Sequence, residues 1–123
     1  MSIATRFLLA AAVYGLMGMV LGMVMGARQD FVLLPVHAHL NLLGWVTLAI
    51  YGITYQVFPA MAASRIATTQ FYTANIGVIV LMPSLAGFLL GHTGALPAMI
   101  AGQILVFAAL VMFIVNLWRH RHR

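Results

Sequence analysis

Four long apolar stretches, separated by short polar segments, dominate the chain. They cover approximately residues 7–27, 33–58, 69–90 and 96–118. Each stretch is near or above the ~20 residues that an α-helix needs to cross a bilayer. The pattern therefore predicts an all-α membrane protein with four transmembrane helices, and we expect residues 1–123 to form a single domain.

Prolines and short connections define the predicted topology. Pro35 and Pro97 suit first helical turns, where a missing N–H costs nothing, and Pro59 suits the close of the second stretch. Pro83 lies inside the third stretch, where we expect a kink whose freed carbonyl is satisfied by neighbouring helices. The three connections, residues 28–32, 60–68 and 91–95, are too short to hold a soluble domain. Short connections favour an up-down-up-down bundle.

The composition excludes several classes of protein. Of the 123 residues, 64% are hydrophobic and 6% are charged, whereas a soluble domain is about a quarter charged. The absence of cysteine excludes disulfides, thiolate metal sites and covalently attached c-type haem. The net charge of +5 does not indicate nucleic-acid binding, because the arginines lie at the ends of apolar stretches, where membrane topology explains them better.

The arginines also predict the orientation of the chain. Five lie on the side that holds both termini: Arg6, Arg65, Arg119, Arg121 and Arg123. Arg28 lies on the other side, close to Asp30. The positive-inside rule then places both termini in the cytoplasm, as in a multi-pass protein of the cell's inner (cytoplasmic) membrane. We interpret the tail WRHRHR as a basic anchor for anionic lipid headgroups, in preference to a metal site at His120 and His122.

Two histidines interrupt the second apolar stretch, in the sequence PVHAHLNLLGW at residues 35–45. Ionisable side chains inside a membrane-spanning segment usually have partners and a function. Because each helical residue turns by about 100°, His37 and His39 are predicted to point to opposite sides of their helix. Either both are buried histidines bonded to carbonyls or water, or the helix serves two separate sites. We favour two sites.

The sequence around these histidines resembles part of the catalytic subunit I of haem–copper oxidases and nitric oxide reductases. The matching stretches are HAHLNLLGWVTLAIYGITYQVFPAM and QFYTANIGVIVLMPSLAGFLLG, with H-x-H, a following G-W pair and an aromatic opening of the next helix. The resemblance implies that His37 and His39 are each an axial ligand of a haem b iron, and that the two irons lie on opposite sides of the helix. The family's copper-site histidines and catalytic tyrosine have no counterpart here, so we do not expect the family's enzymatic oxygen reduction.

The resemblance also implies an assembly. Subunit I has about twelve helices with approximate threefold symmetry, which three copies of a four-helix chain would supply. We therefore expect a cyclic homotrimer in which His37 of one protomer faces His39 of its neighbour across a shared haem. Iron with two histidine ligands has no open position for a substrate, which favours electron transfer with a redox partner that the sequence does not identify.

Four further residues are candidates for a role in cofactor binding. Asn41 lies one helical turn from His37 and is expected to orient a ligand or a carbonyl. Gly44, before Trp45, makes room either for a flat macrocycle or for another helix. Arg28 is available for a haem propionate or for an ion pair with Asp30.

Other features have simpler interpretations. The first helix carries a glycine stripe, Gly18, Gly22 and Gly26 with Gly15 near its start, which predicts close helix packing within or between protomers. The methionines of this helix are expected to fill apolar gaps. Tyr51 and Tyr55 are expected to form hydrogen bonds between helices, although an internal polar path is a second interpretation. Two other functions stay open: a haem-free accessory subunit of a larger oxidase, and a subunit that handles a metal or small solute.

Overall fold

The computed structural model describes residues 1–122, and this part of the chain is almost entirely helical. The four long helices are α1 (Ile3–Arg28), α2 (Leu34–Val57), α3 (Arg65–Leu89) and α4 (Leu96–Arg119). All four are long and apolar enough to cross a membrane, which confirms the prediction of a multi-pass, all-helical protein. A helical turn, Pro59–Ala62, follows α2, and a 3₁₀ turn, Thr93–Ala95, precedes α4. Arg123, counted above among the cytoplasmic arginines, lies outside the described residues.

Two helices begin earlier than the apolar pattern predicts. The α1 helix begins at Ile3 and the α3 helix at Arg65, each four residues before the predicted apolar stretch. A serine caps each start: the Ser2 hydroxyl accepts the Thr5 N–H at 3.1 Å, and the Ser64 hydroxyl accepts the Ala67 N–H at 3.3 Å. Side-chain caps satisfy otherwise free N–H groups, so the helices extend beyond their apolar segments.

The helices pack mainly in sequential pairs, α1 on α2 and α3 on α4. The α3–α4 contact is closest at Gly102, where an added Cβ would lie 2.8 Å from the Leu81 Cα. The two pairs meet at an aromatic cluster in the half of the bundle that holds the termini. There Phe7 of α1 packs edge-to-face on Phe71 of α3 with ring centroids 5.1 Å apart, and Tyr51 of α2 packs on Phe113 of α4 at 4.7 Å.

A buried polar network joins three helices beside this cluster. The Tyr55 hydroxyl donates to the Gln70 side-chain oxygen at 2.6 Å, and the Asn116 amide donates to the Tyr55 hydroxyl at 3.3 Å. The Ser64 hydroxyl donates to the Asn116 side-chain oxygen at 2.9 Å. The prediction of hydrogen bonds between helices is therefore confirmed for Tyr55. The network is not fully satisfied among the described residues, because the buried Gln70 Nε2 has no hydrogen-bond partner there.

The third helix continues through Pro83. The Ser84 hydroxyl, from the same helix, donates to the Val80 carbonyl at 2.7 Å. Pro83 frees the carbonyl four residues earlier, that of Ile79, and the Ser84 bond goes to a different carbonyl. That neighbouring helices satisfy the freed carbonyl therefore stays a prediction.

Candidate functional site

The candidate site begins in the first turns of α2. Pro35 occupies the first turn, and the chain is α-helical over Leu34–His39. The next seven residues, Leu40–Val46, form a π-helix, and the α-helix resumes over Thr47–Val57. Short π segments occur frequently at functional sites. Both histidines precede the π segment, so the turn of about 100° per residue that holds for an α-helix applies between them.

His37 faces α1. Its ring is half-buried, and its Nδ1 donates to the main-chain carbonyl of Gly18 at 2.8 Å. An added Cβ at Gly22 would lie 2.8 Å from the His37 Cε1, so this glycine leaves room for the ring. The ring is therefore held in the groove between α1 and α2.

His39 faces the other pair of helices. It is exposed, and its Nδ1 donates to the Pro35 carbonyl of its own helix at 2.6 Å. The ring lines an open cleft of about 620 Å³ between α2, α3 and α4. The two histidines thus lie on different sides of α2, as the angular prediction requires.

The cleft is mainly apolar and carries few polar side chains. Its volume falls within the roughly 300–1,000 Å³ that is typical of small-molecule pockets. Thr47, Tyr51 and Gln103 are the polar side chains that line it with His39. The apolar lining comes from all three helices: Leu43, Leu81, Leu85, Phe88, Leu89, Met99, Val106, Phe107 and Leu110.

Both histidines adopt the same tautomer. A carbonyl oxygen can only accept a hydrogen bond, so the Nδ1 atoms of His37 and His39 both carry protons. In a neutral imidazole the Nε2 atom then has a free lone pair, which is the form that binds metals. A carbonyl on Nδ1 is also the usual second partner of a metal-bound histidine, because it fixes the ring orientation. The His39 ring is therefore prepared for ligation through Nε2, whereas the His37 Nε2 already lies 3.5 Å from the Asn41 amide nitrogen.

The other predicted residues lie on the His37 side of α2. The Asn41 amide donates to the His37 carbonyl at 2.9 Å and lies 3.3 Å from the His37 Nδ1, so it contacts the histidine as predicted. An added Cβ at Gly44 would lie 2.7 Å from the Tyr14 Cβ, so Gly44 makes room for α1. Trp45 packs over Gly15 and is 43% exposed. Neither Gly44 nor Trp45 lines the cleft at His39.

The glycine stripe of α1 matches these side chains of α2. An added Cβ at Gly18 would lie 2.5 Å from the Asn41 Oδ1, and one at Gly15 would lie 2.9 Å from the Trp45 ring. Gly26, the last member, has nothing within 4 Å of such an atom. The predicted packing role is confirmed within the protomer for the first three glycines, Gly15, Gly18 and Gly22.

Arg28 is exposed at the end of α1 and does not line the cleft. The Asp30 carboxylate accepts the Val32 N–H at 3.2 Å. The two candidate roles of Arg28, binding a haem propionate and pairing with Asp30, both stay predictions.

Sequence reasoning missed most of the residues that line the cleft with His39, among them Thr47, Met99 and Gln103. Gln103 is one of two amide side chains in the apolar α4 helix, and this isolated polar group was the available signal. Thr47 stabilises the π segment, because its hydroxyl donates to the Leu42 carbonyl, five residues earlier, at 2.6 Å.

Residues 1–122 contain no group of three or more histidine, aspartate, glutamate or cysteine side chains placed to hold a metal ion. A haem iron needs only one or two axial ligands from the protein. The donor atoms and the apolar cleft therefore fit a haem. No family model, no curated protein and no solved structure matches the chain.

Proposed function

We propose that this chain is a membrane b-type haem protein whose function is electron transfer, with His37 and His39 as axial ligands. The observation that supports the proposal best is that both rings donate Nδ1–H to a main-chain carbonyl, on opposite sides of one helix, which leaves Nε2 as the acceptor atom of each ring. The His37 Nε2 lies 3.5 Å from the Asn41 amide nitrogen, a contact that it would have to exchange for the iron. The resemblance to subunit I of haem–copper oxidases favours haem over other metal cofactors.

The residues of the cleft have distinct roles in this proposal. His39 supplies the Nε2 donor, and its hydrogen bond to the Pro35 carbonyl fixes the orientation of the ring. The apolar walls from α3 and α4 exclude water from a flat macrocycle, whereas Thr47 and Gln103 offer hydrogen bonds. A bound haem supplies one-electron chemistry, and iron with two imidazole ligands has no open position for a substrate. We therefore favour electron transfer over catalysis.

We further propose that three copies of the chain form a ring and share each haem between neighbours. The support is that His37 and His39 of one protomer cannot reach the same iron, because α2 lies between them. The cleft at His39 is open, so His37 of a neighbour is the natural second ligand. Heterologous contacts of this kind form a ring when the rotation between neighbours closes, as three copies at about 120° would. The arginine distribution favours the cytoplasmic membrane with both termini inside.

The absorption spectrum of protein purified from cells supplied with haem tests the proposal. We expect the sharp, split bands of low-spin haem b on reduction. His37→Ala and His39→Ala should each lose the bands, whereas His92→Ala, in the exposed connection before α4, should retain them. A colourless wild-type protein would refute haem binding.

The alternative is a haem-free accessory subunit or a subunit that handles a metal or small solute. One observation favours it: His37 already has partners within its own protomer, the Gly18 carbonyl at Nδ1 and the Asn41 amide at Nε2. A buried histidine with only a packing role has such partners. In that case both alanine variants lower the stability of the bundle, and the wild-type protein has no haem spectrum.

A further inference from the structure

The end of the bundle that holds the termini carries positive charge without a compensating acid. Arg6, Arg65, Arg119 and Arg121 are all exposed there. The only acidic residue of the chain, Asp30, lies at the opposite end. An anion is therefore favoured at the membrane surface on this side.

A groove of about 490 Å³ lies at this end, where α2 terminates beside the end of α4. Its walls are apolar and come from the chain that leaves α2, residues 57–60. Its polar side chains are Gln56, His120 and His122. An apolar wall with a basic, hydrogen-bonding edge matches a molecule that has both a hydrocarbon part and an anionic part.

His120 offers a hydrogen bond to an anion only in its protonated form. Its Nδ1 donates to the Asn116 carbonyl at 2.9 Å, so a neutral ring offers only an acceptor at Nε2. The protonated ring donates from both nitrogens, and Nε2–H is then free to bond a phosphate oxygen. An anionic phosphate and the protonated ring therefore stabilise each other.

The residue after His120, Arg121, carries a permanent positive charge. The Arg121 guanidinium lies 4.0 Å from the centre of the Trp118 ring and donates to the Trp118 carbonyl. Trp118 is 67% exposed, as expected of an aromatic side chain at a membrane–water interface. The groove therefore lies at headgroup depth.

We propose that this groove is a binding site for one anionic phospholipid, with its phosphate at His120, His122 and Gln56. A free anion has no hydrocarbon part to contact the apolar wall. A zwitterionic lipid carries a cationic group, which the arginines would repel. The site does not depend on haem binding, because its residues lie at the opposite end of α2 from His39.

Quenching of Trp118 fluorescence by brominated lipids tests this site. The full chain carrying Trp45→Phe has Trp118 as its single tryptophan, two residues before His120. In mildly acidic buffer we expect brominated phosphatidylglycerol to bind at least about fivefold more tightly than brominated phosphatidylcholine, the effect of about one charge near the surface. The double variant His120→Gln/His122→Gln should lose most of this preference.

The matched control is His92→Gln, which removes an exposed histidine at the other end of the bundle and should keep the wild-type preference. Thermal unfolding of each variant shows whether the fold is retained. An unchanged preference in the folded double variant would assign the effect to the arginines alone and overturn the site. Displacement of the lipid by inorganic phosphate, or stoichiometric Zn²⁺ binding that the double variant loses, would also overturn it.

Discussion

The substitution Gly22→Ala examines how the structure holds His37. The added methyl group would lie 2.8 Å from the His37 Cε1 and 3.2 Å from its Nδ1, too close for the ring to stay in place. The displaced ring loses its hydrogen bond to Gly18, which is worth about 1 kcal/mol. Overpacking adds about 1–3 kcal/mol, and the better helix propensity of alanine offsets about 1 kcal/mol. We therefore expect a net destabilisation of about 1–3 kcal/mol.

Gly26→Ala is the matched control, because it places the same methyl group four residues along the same helix with nothing within 4 Å. This variant should be as stable as the wild type or slightly more stable. Equilibrium unfolding in mixed micelles, followed by circular dichroism, gives the free energy of unfolding of each variant. Equal stability of the two variants would refute the packing of His37 against α1. If His37 ligates haem, Gly22→Ala should also lower the haem content.

Three further predictions concern the bundle and the cleft. Gly102→Ala should destabilise the protein by about 2 kcal/mol or more, measured by the same unfolding assay, because its methyl group would lie 2.8 Å from main-chain atoms of Leu81. Tyr55→Phe should cost about 1–3 kcal/mol because a buried amide oxygen loses its donor, whereas Tyr72→Phe, on a 53% exposed side chain, should be neutral. Leu110→Trp should partly fill the cleft and reduce haem content, measured by absorption, with helicity unchanged. Full haem content in Leu110→Trp would place the cofactor elsewhere.

The apolar pattern predicted all four membrane helices because their length and hydropathy depend on the bilayer and little on tertiary contacts. It missed the starts of α1 and α3, since Ser2 and Ser64 cap these helices from outside the apolar stretches. It also gave no sign of the helical turn Pro59–Ala62 within the predicted second connection.

The candidate site was predictable only as far as the regular helix extends. His37 and His39 lie two residues apart in an α-helical turn, so their opposite directions follow from helix geometry. The π segment Leu40–Val46 then changes the angular register, so counting residues from His39 does not place Thr47 in the cleft. Gly44 shows the same limit: its contact with Tyr14 depends on the approach of α1, which the sequence of α2 does not encode.

Co-expression of His37→Ala and His39→Ala chains, carrying two different affinity tags, tests the shared-haem proposal most directly. Each variant alone should contain no haem, because every interface lacks one ligand. Assemblies purified through both tags should recover part of the low-spin haem spectrum, because a mixed ring has an interface with an intact His37 and an intact His39. Mixed assemblies that are folded and doubly tagged but colourless, or haem retained in either variant alone, would contradict ligation between protomers.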